Sequence, residues 1–250
     1  VTGASGGIGL EAAKELRALG FDVVLCGRDA AKLEAAGGPS RDLDATGASS
    51  PRAETAVFDL LSLTDTARGA RELADRSRYP PVAGLVLNAG AWPTFLEVTE
   101  DDLEAGLQTN HVAHFLLARE LCQPRNGTSS IRAVATLTSS AHAAVSTRSL
   151  RALLDDPAWS AAAFDAGQAY AATKLLNLLF AREVGRRFGI PKSVAVHPGV
   201  VATNLFRDFP AAVRATVCAA AHCAGSARRF VTNATASGNA RGGSGTREEP

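Results

Sequence analysis

Short apolar runs alternate along the chain with longer segments in which apolar residues recur at helical spacing. The runs that have the length and composition of buried strands cover residues 21–26, 54–60, 81–87, 131–138 and 194–197. Helical patterns occupy residues 10–19, 30–33, 62–74, 100–121 and 168–188. Such alternation is typical of an α/β fold with a parallel sheet. We therefore predict one α/β domain of the Rossmann type, a doubly wound parallel sheet flanked by helices, with its first strand cut short and its last strand missing.

The remaining segments lack this periodicity. Residues 36–55 are rich in Gly, Ser, Pro and Asp and predict a long surface loop, and residues 143–166 predict an irregular stretch. Residues 225–250 have almost no apolar content and predict a disordered tail. We expect residues 1–205 to form a nucleotide-binding domain and residues 206–224 to form a short helix of a substrate lid.

Composition and charge exclude several function classes. A length of 250 residues suits one domain with a full core, and the net charge of +1 gives no basis for binding nucleic acid or an anionic membrane. No apolar run reaches membrane-spanning length. The cysteines form no C-x-x-C pair, which is typical of reduced intracellular thiols. We predict a cytoplasmic location, and any anchor or signal preceding residue 1 would lie outside this sequence.

The chain opens on a glycine-rich stretch, VTGASGGIG at residues 1–9, immediately before the first helical pattern. Glycines at positions 3, 7 and 9 allow the backbone to turn sharply and to approach a ligand without side-chain clashes. The helix start beyond them offers unpaired N–H groups and the positive end of the helix dipole. These features suit a bound pyrophosphate; the alternative is an ordinary turn.

The end of the strand predicted at 21–26 carries a positive side chain where a carboxylate could stand. Gly27 follows the strand and Arg28 comes next. In dinucleotide folds an acidic residue here binds the ribose 2′-hydroxyl, whereas an arginine accommodates a 2′-phosphate. The sequence therefore favours NADP(H) over NAD(H), the alternative being a solvated arginine. Asp29 is predicted to cap the next helix, and Asp59 could face the adenine ring.

Tyr170 and Lys174 are four residues apart in a strong helical pattern, so their side chains project from the same face. A tyrosine with its ordinary pKa of about 10 is a poor base at neutral pH. A nearby ammonium favours the phenolate and would lower that pKa. The pair is therefore a candidate acid–base unit, and the alternative is a surface aromatic residue beside a solvated lysine.

Other polar residues inside apolar segments are weaker candidates. Asn110 interrupts the helical pattern at 100–121, where asparagine is a poor helix former, and the alternative is a capping or surface amide. Asn88 follows a buried strand and could tie neighbouring strands together. His111 and His114 are three residues apart, but no further ligands cluster with them, so no metal site is predicted.

These motifs resemble, in kind and order, those of the short-chain dehydrogenase/reductase superfamily. The resemblance spans roughly residues 1–205 and includes Thr2-Gly3-x-x-x-Gly7-x-Gly9, Asn88-Ala89-Gly90, Asn110, Ser140, Tyr170 with Lys174, and Pro198-Gly199. The stretches SSAH at 139–142, KLLNLLF at 174–180 and HPGV at 197–200 look most like the retinol-dehydrogenase-like branch. Leu87 departs from the pattern, because the family usually has a second asparagine before Asn-Ala-Gly.

The resemblance implies a role for each of the matching residues. Tyr170 would be the general acid in carbonyl reduction and the base in alcohol oxidation. Lys174 would bind the nicotinamide ribose and lower the Tyr170 pKa. Ser140 would hydrogen-bond the substrate oxygen, with its neighbour Ser139 as second choice. Asn110, at a helix irregularity, would hold a water that links Lys174 to solvent.

The resemblance also implies a cofactor site. Thr203 and the backbone near Val201 would position the nicotinamide amide. The complete set of cofactor-binding residues implied or predicted is Gly3, Ser5, Gly7, Ile8, Gly9, Arg28, Asp59, Leu60, Asn88, Ala89, Gly90, Tyr170, Lys174, Pro198, Gly199, Val201 and Thr203.

The function expected from these residues is an NADP-dependent oxidoreductase that transfers hydride between the nicotinamide and a lipophilic ketone, aldehyde or secondary alcohol. The alternative is a non-catalytic or degenerate nucleotide-binding protein that lacks the C-terminal part of the fold. The expected partner is a small molecule, and a homo-oligomer is compatible with the sequence. Aromatic residues that could line an apolar pocket, or simply pack, are Trp92, Phe95, Trp159 and Phe206.

Overall fold

The computed structural model describes residues 1–37, 51–123, 129–159, 164–201, 203–206 and 209–224. Its strands are β1 (Val23–Gly27), β2 (Ala53–Val57), β3 (Gly84–Leu87), β4 (Ala133–Leu137) and β5 (Lys192–Val196). Its α-helices are α1 (Gly7–Ala18), α2 (Ala30–Ala35), α3 (Leu63–Leu73), α4 (Ala105–Leu107), α5 (Ala113–Cys122), α6 (Thr147–Asp155), α7 (Ala166–Phe188) and α8 (Ala211–Ala224). The predicted alternation of strands and helices is confirmed.

The first two residues lie between β1 and β3 and join the two parts of the sheet. β1 pairs with β2, and β4 pairs with both β3 and β5, all in parallel. The Thr2 amide donates to the Val86 carbonyl at 3.0 Å, and the Cys26 amide donates to the Val1 carbonyl at 2.9 Å. The order is therefore β2, β1, the opening residues, β3, β4 and β5. In such a doubly wound sheet, ligands bind at the carboxyl ends of the strands, where the strand order reverses.

Burial of the central strands explains why they appear in the sequence as apolar runs. Parallel strands covered by helices on both faces need apolar side chains on both faces. The main core is formed by strand residues packed against α3, α5 and α7, and its largest members include Leu85, Leu87, Val134, Leu73, Leu117 and Phe180. A smaller cluster forms between β1, α1 and α2 around Val23, Leu25 and Leu33.

The stretch at 143–166, predicted to be irregular, contains helix α6. Ser146 caps this helix by accepting a hydrogen bond from the Ser149 amide at 3.0 Å. Leu153 on α6 packs into a separate apolar cluster with Trp159. Leu153 is buried and Leu154 is exposed. The sequence prediction was wrong here although the signal was present: Leu150, Leu153 and Leu154 have i, i+3, i+4 spacing after a serine cap, but over one short helix of nine residues.

The helical pattern predicted at 100–121 begins later and is interrupted. Glu104 caps α4 through its buried carboxylate, which accepts hydrogen bonds from the amides of Gly106 at 2.8 Å and Leu107 at 2.6 Å. Between α4 and α5, residues Gln108–Val112 form a π-helical turn. Such turns are rare and frequently occur at functional sites. Asn110 lies in this turn, so the irregularity predicted there is confirmed.

The last element of the described chain is a helix. Residues 206–224, predicted to form a short helix, contain α8. No strand follows β5 within the ranges given above. Most of the predicted loop at 36–55 and the predicted tail at 225–250 lie outside the described residues.

The hydroxyl of Thr2 is a buried junction between the opening turn, β3 and α5. It accepts hydrogen bonds from the amides of Asn88 at 3.0 Å and Ala89 at 3.1 Å, and it contacts His114 Nε2 at 2.9 Å. Its lone pairs serve the two amides, and its own proton goes to Nε2 at 2.9 Å rather than to the Val86 carbonyl, which lies farther away at 3.5 Å. The imidazole proton is then on Nδ1, which donates to the Asn110 carbonyl at 3.2 Å. His114 is therefore neutral, and burial lowers its pKa to about 3.

We expect this neutral histidine to make the fold sensitive to acid. The pKa of His114 is lowered in the folded state, so the unfolded chain binds a proton more readily, and stability falls as the pH drops below about 6.5. This one group should cost about 2 kcal/mol between pH 7 and pH 5. Urea unfolding at both pH values measures the difference. His114→Asn should be less stable at pH 7 but should lose less stability on acidification; an equal loss in both proteins would contradict the assignment.

A second prediction concerns the packing of the glycine turn. A Cβ atom on Gly9 would lie 2.4 Å from Asn88 Nδ2 and 2.5 Å from the Gly3 carbonyl oxygen. Gly9→Ala should therefore destabilise the fold by about 1–3 kcal/mol, although alanine is the better helix former. A Cβ on Gly6 would have no heavy atom within 4 Å, so Gly6→Ala should cost less than about 1 kcal/mol. Thermal unfolding of the two variants tests this, and equal melting temperatures would contradict it.

Candidate active site

A cleft of about 420 Å³ lies at the carboxyl ends of the strands. The turn at residues 2–8 and the ends of β1, β3 and β4 contribute to its walls, together with α7 and the loop after β5. Predicted site residues that line it are Gly3, Ser5, Gly7, Ile8, Arg28, Asp59, Leu60, Asn88, Ala89, Gly90, Tyr170, Lys174, Pro198 and Thr203. Gly9, Asn110, Ser140, Gly199 and Val201 are not among the lining residues.

The glycine turn fits the predicted pyrophosphate for steric reasons. Gly3 and Gly7 have φ of +64° and +56°, which favour glycine. A Cβ atom on Gly3 would lie 2.9 Å from Ala89 Cα, so the turn packs directly on the segment after β3. Gly6 is the N-cap of α1 and has no side chain to occupy the helix end. The start of α1 is therefore open to an anion on the cleft side.

Gly9 and Thr203 support this turn in different ways. Gly9 lies behind the cleft, against Asn88 and Gly3, and so fixes the shape of the turn. A Cβ on Gly7 would lie 3.2 Å from Thr203 Cγ2, which shows that the loop after β5 approaches the turn from the opposite side. Gly199 and Val201 belong to the same loop.

Charged side chains surround the end of the cleft next to β1 and β2. Arg28 Nη1 lies 3.9 Å from Asp59 Oδ2, and Lys32 Nζ lies 3.1 Å from Asp29 Oδ2. The Asp29 carboxylate caps α2 by accepting from the Lys32 amide at 3.1 Å, which confirms the predicted cap. Lys32 lines the cleft and was not predicted. The sequence feature that could have indicated it is its position four residues, or about one helical turn, after Arg28.

Tyr170 and Lys174 lie one turn apart on α7 and both reach the cleft. The Tyr170 hydroxyl hydrogen-bonds with the side chain of Ser139. Lys174 Nζ lies 5.4 Å from the centre of the Tyr170 ring and donates to the Leu137 carbonyl at 3.3 Å. The helix therefore presents a phenol and an ammonium to the end of β4, as their spacing predicted.

Burial opposes ionisation of both groups. Burial raises the pKa of Tyr170 to about 12, although the hydrogen bond with Ser139 favours the phenolate. Burial also lowers the pKa of Lys174 to about 8. The resemblance implied that Lys174 lowers the pKa of Tyr170; in this structure desolvation of the phenol is the larger effect.

Ser139, rather than Ser140, contacts Tyr170. Ser139 is half-buried at the end of β4, and its hydroxyl also accepts from the Ala141 amide at 3.2 Å. Ser140 begins a short 3₁₀ helix and is exposed. Successive side chains at a strand end point in different directions, and the sequence alone did not show which of the two serines points towards α7.

Asn110 lies behind the cleft and fixes the segment after β3. Its Oδ1 accepts from the Ala91 amide at 2.7 Å, and its Nδ2 donates to the Ala91 carbonyl at 2.9 Å and to Thr173 Oγ1 at 3.1 Å. A Cβ on Gly90 would lie 3.3 Å from Asn110 Oδ1 and 3.5 Å from Lys174 Nζ. The glycine thus permits these two side chains to approach the same backbone.

An aromatic cluster covers one face of Tyr170. The Trp92 ring stacks on the Tyr170 ring with centres 4.1 Å apart and planes at 3°. Its Nε1 donates to the Ala166 carbonyl at 3.1 Å. Phe206 and Phe209 pack against Trp92 at 6.0 Å and 5.1 Å.

The other candidate aromatic residues lie elsewhere. Phe95 is exposed and lines the cleft, whereas Trp159 is buried in the cluster with Leu153 and packs against Phe164. Phe209 was not a candidate, because nothing in the sequence indicated which aromatic residues converge.

Within the described residues no group of three or more His, Cys, Asp or Glu side chains could hold a metal ion. None of their helices combines the length and apolar character needed to cross a membrane.

Comparison with known proteins finds close relatives. The family model of short chain dehydrogenases matches residues 1–148. A candidate daunorubicin C-13 ketoreductase, DnrU of Streptomyces sp. (strain C5), is 36% identical over 209 residues, which cover 83% of this chain and 67% of that protein. Retinol dehydrogenase 13 of Homo sapiens is 32% identical over 217 residues, covering 83% of this chain and 60% of that protein. The chain thus spans about 60–67% of the length of these relatives.

A solved structure agrees with these matches. The crystal structure of an uncharacterised protein from Mycobacterium paratuberculosis is similar with a TM-score of 0.63 and 32% identity, over 83% of this chain and 69% of that one. The matched family model covers more than half of the chain. The chain therefore belongs to the short-chain dehydrogenase/reductase superfamily, a family of oxidoreductases, in its retinol-dehydrogenase-like branch.

Proposed function

We propose that the chain is an NADP(H)-dependent oxidoreductase that acts on lipophilic ketones and aldehydes or the corresponding secondary alcohols. The observation that carries this proposal is that Tyr170 and Lys174, one helical turn apart, lie on the wall of a cleft that also contains the glycine turn, with the Ser139 side chain hydrogen-bonded to Tyr170. A general acid and a cation thus face the same space, and a hydroxyl lies beside the acid.

The proposed reaction assigns one task to each of these side chains. In carbonyl reduction Tyr170 donates its hydroxyl proton to the substrate oxygen while the carbonyl carbon receives a hydride. Ser139 hydrogen-bonds that oxygen, and Lys174 stabilises the phenolate that remains. The nicotinamide cofactor, when bound, supplies or accepts the hydride. Asn110 holds the segment after β3 in place beside Lys174.

The raised pKa of Tyr170 keeps the phenol in its proton-donating form. At a pKa of about 12 the phenol carries its proton throughout the physiological range, which is the form that protonates a carbonyl oxygen. Alcohol oxidation needs the phenolate, and burial disfavours this form in the present arrangement.

Arg28 and Lys32 support the preference for NADP(H). Both cations line the cleft next to the end of β1. The neighbouring carboxylates are engaged by backbone amides: Asp29 by the Lys32 amide and Asp59 by the Leu61 amide at 3.0 Å. Each cation is also paired with one of these partly exposed carboxylates, Arg28 with Asp59 at 3.9 Å and Lys32 with Asp29 at 3.1 Å. A 2′-phosphate would replace the carboxylates as partner of the two cations, whereas a ribose 2′-hydroxyl would meet carboxylates that already accept hydrogen bonds.

The aromatic cluster supports a lipophilic substrate. Trp92, Phe206 and Phe209 lie beside Tyr170, and Phe95 lines the cleft. Two relatives are named for the reduction of daunorubicin at C-13 and for the dehydrogenation of retinol. We propose a substrate of this general class.

A non-catalytic nucleotide-binding protein is the second candidate function. The observation that favours it is the stacking of Trp92 directly on Tyr170, which covers one face of the phenol. Such a protein would bind NADPH but would not depend on Tyr170 for any turnover. Carbonyl reduction by the wild-type chain, measured with a panel of aromatic and aliphatic ketones and aldehydes, separates the two functions.

Substitutions of the reacting hydroxyls give the first functional prediction. Tyr170→Phe should lower kcat for carbonyl reduction by at least about 100-fold, because the proposed proton donor to the substrate oxygen is removed. The dissociation constant for NADPH, measured by fluorescence, should change little. Wild-type turnover in Tyr170→Phe would refute the catalytic assignment.

The same assay decides between the two serines. Ser139→Ala should lower kcat about 100-fold, because the substrate oxygen loses a hydrogen-bond donor. Ser140→Ala should change kcat by less than about twofold, because its exposed side chain makes no contact with Tyr170. The reverse order of effects would return the role to Ser140.

The cofactor preference can be tested at Arg28. Arg28→Ala should weaken NADPH binding about tenfold, because one charge-assisted hydrogen bond to the 2′-phosphate is lost. NADH binding should stay within about twofold, so the preference for NADPH should fall by about the same factor. Fluorescence titrations with both nucleotides measure this, and an unchanged NADPH/NADH ratio would remove the argument from Arg28.

A further inference from the structure

Lys174 shares its carbonyl acceptor with a second buried side chain on the same helix. The Leu137 carbonyl, at the end of β4, accepts from Lys174 Nζ at 3.3 Å and from Asn177 Nδ2 at 3.0 Å. Lys174 and Asn177 are three residues apart on α7, so both reach the same strand end. Their exposed fractions are only 4% and 1%. A carbonyl oxygen has two lone pairs, and here one serves each side chain.

The orientation of the Asn177 amide is fixed from its other end. Asn177 Oδ1 lies 3.1 Å from Nδ1 of His111, the residue that follows Asn110 in the π-helical turn. Because Nδ2 donates to Leu137, Oδ1 must accept, so His111 Nδ1 carries the proton. Burial lowers the pKa of His111, which keeps the ring neutral. The edge of this ring also packs against Phe180, with ring centres 5.9 Å apart.

The geometry points to Asn177, oriented by His111, as the positioning residue that limits how strongly the Leu137 carbonyl holds the Lys174 ammonium. By taking the shorter hydrogen bond, the amide leaves Lys174 a longer and weaker one. The ammonium therefore remains available to the cleft and to Tyr170. This role rests on the proposed function of Lys174, and neither Asn177 nor His111 touches the reacting atoms.

The charges around Lys174 define what a substitution would change. The titratable side chains near it are Tyr170 on the same helix, and His111 and His114 on the π-helical turn and α5. Burial keeps both imidazoles uncharged and keeps the phenol protonated. Asn177→Asp would remove the donor to Leu137 and place a carboxylate next to the ammonium. The lysine should then be drawn away from the cleft and should hold its proton more strongly.

The first measurement uses the ligand-free protein. Lys174 is titrated by NMR of lysine side chains and is assigned with Lys174→Arg; the other lysines are Lys14, Lys32 and Lys192. The pKa of Lys174 should rise by at least one pH unit in Asn177→Asp from the wild-type value of about 8. Gln168→Glu is the matched control: it makes the same amide-to-acid change on α7, but its amide contacts Ala144 and Ser146. It should leave the Lys174 titration unchanged.

The second measurement is NADPH binding as a function of pH. Asn177→Asp should raise the dissociation constant about tenfold at pH 7, as expected for the loss of one charge-assisted hydrogen bond to the ribose. The pH at which NADPH binding begins to weaken should also be higher in this variant than in the wild type. His111→Leu, which leaves the amide without its partner, should act in the same direction but less strongly. His111→Gln, which restores a donor, should return both quantities towards wild type.

The outcomes separate positioning from simple stability. If Asn177→Asp folds with a lower melting temperature but with wild-type Lys174 titration and NADPH affinity, the proposal is overturned. If Asn177→Asp fails to fold, the His111→Leu and His111→Gln pair decides by the same two readouts. If the wild-type chain neither binds NADPH nor reduces any carbonyl compound, the proposed function fails, whereas the titration of Lys174 still supports or overturns the role of Asn177.

Discussion

The buried hydroxyl of Thr2 joins the glycine turn to both segments that complete the cleft. It has one proton to donate, which goes to His114, and its lone pairs serve the amides at the end of β3. Leaving any of these buried groups unpaired would cost on the order of 1–3 kcal/mol. The turn, the segment after β3 and the π-helical turn are therefore held in a single arrangement. Within this arrangement the backbone of Gly90 lies close to both Asn110 and Lys174.

Burial holds the side chains of the site in place but also disfavours their charged forms. Tyr170 and Lys174 are fixed because both are packed into the protein, yet the same packing disfavours the charged form of each. Polar neighbours compensate only in part: Ser139 favours the phenolate, and the Leu137 carbonyl favours the ammonium. A lysine with a pKa near 8 remains charged at neutral pH. The site therefore tolerates a buried cation, and the strength with which it is held depends on how the Leu137 carbonyl is shared between Lys174 and Asn177.

The sequence was informative wherever geometry follows from local spacing. The strands were recognisable because buried parallel strands are apolar on both faces, and Tyr170 and Lys174 were paired because residues four apart share a helix face. Asn110 was suspected because it fits poorly in a regular helix. These inferences need only the period of the element and the chemistry of the residue, and the structure agrees with each of them at the level of the backbone.

Features that depend on non-local packing were not predictable in this way. The choice between Ser139 and Ser140 depends on which of two neighbouring side chains turns towards α7. The stack of Trp92 on Tyr170 joins residues 78 positions apart in the numbering, and no periodicity connects them. In the sequence Asn177 is a single polar residue in a leucine-rich helical stretch that resembles the family, and nothing in that stretch predicts its contacts. Its importance arises from a strand end and an imidazole that the chain brings to it from two other elements.

The two ends of the cleft also differ in how far local sequence determines them. The end proposed to hold the nucleotide is formed by a contiguous glycine turn and by residues one or two positions beyond a strand, so its chemistry can be predicted from short motifs. The other end is formed by aromatic side chains from the loop after β3, the loop after β5 and helix α7, which meet only in the folded chain. The two ends meet at Tyr170, because Trp92 stacks directly on its ring. Phe206 and Phe209 pack against Trp92 on the other side, so substitutions of these two residues would alter the aromatic end at a greater distance from the Thr2 junction than substitutions of Trp92.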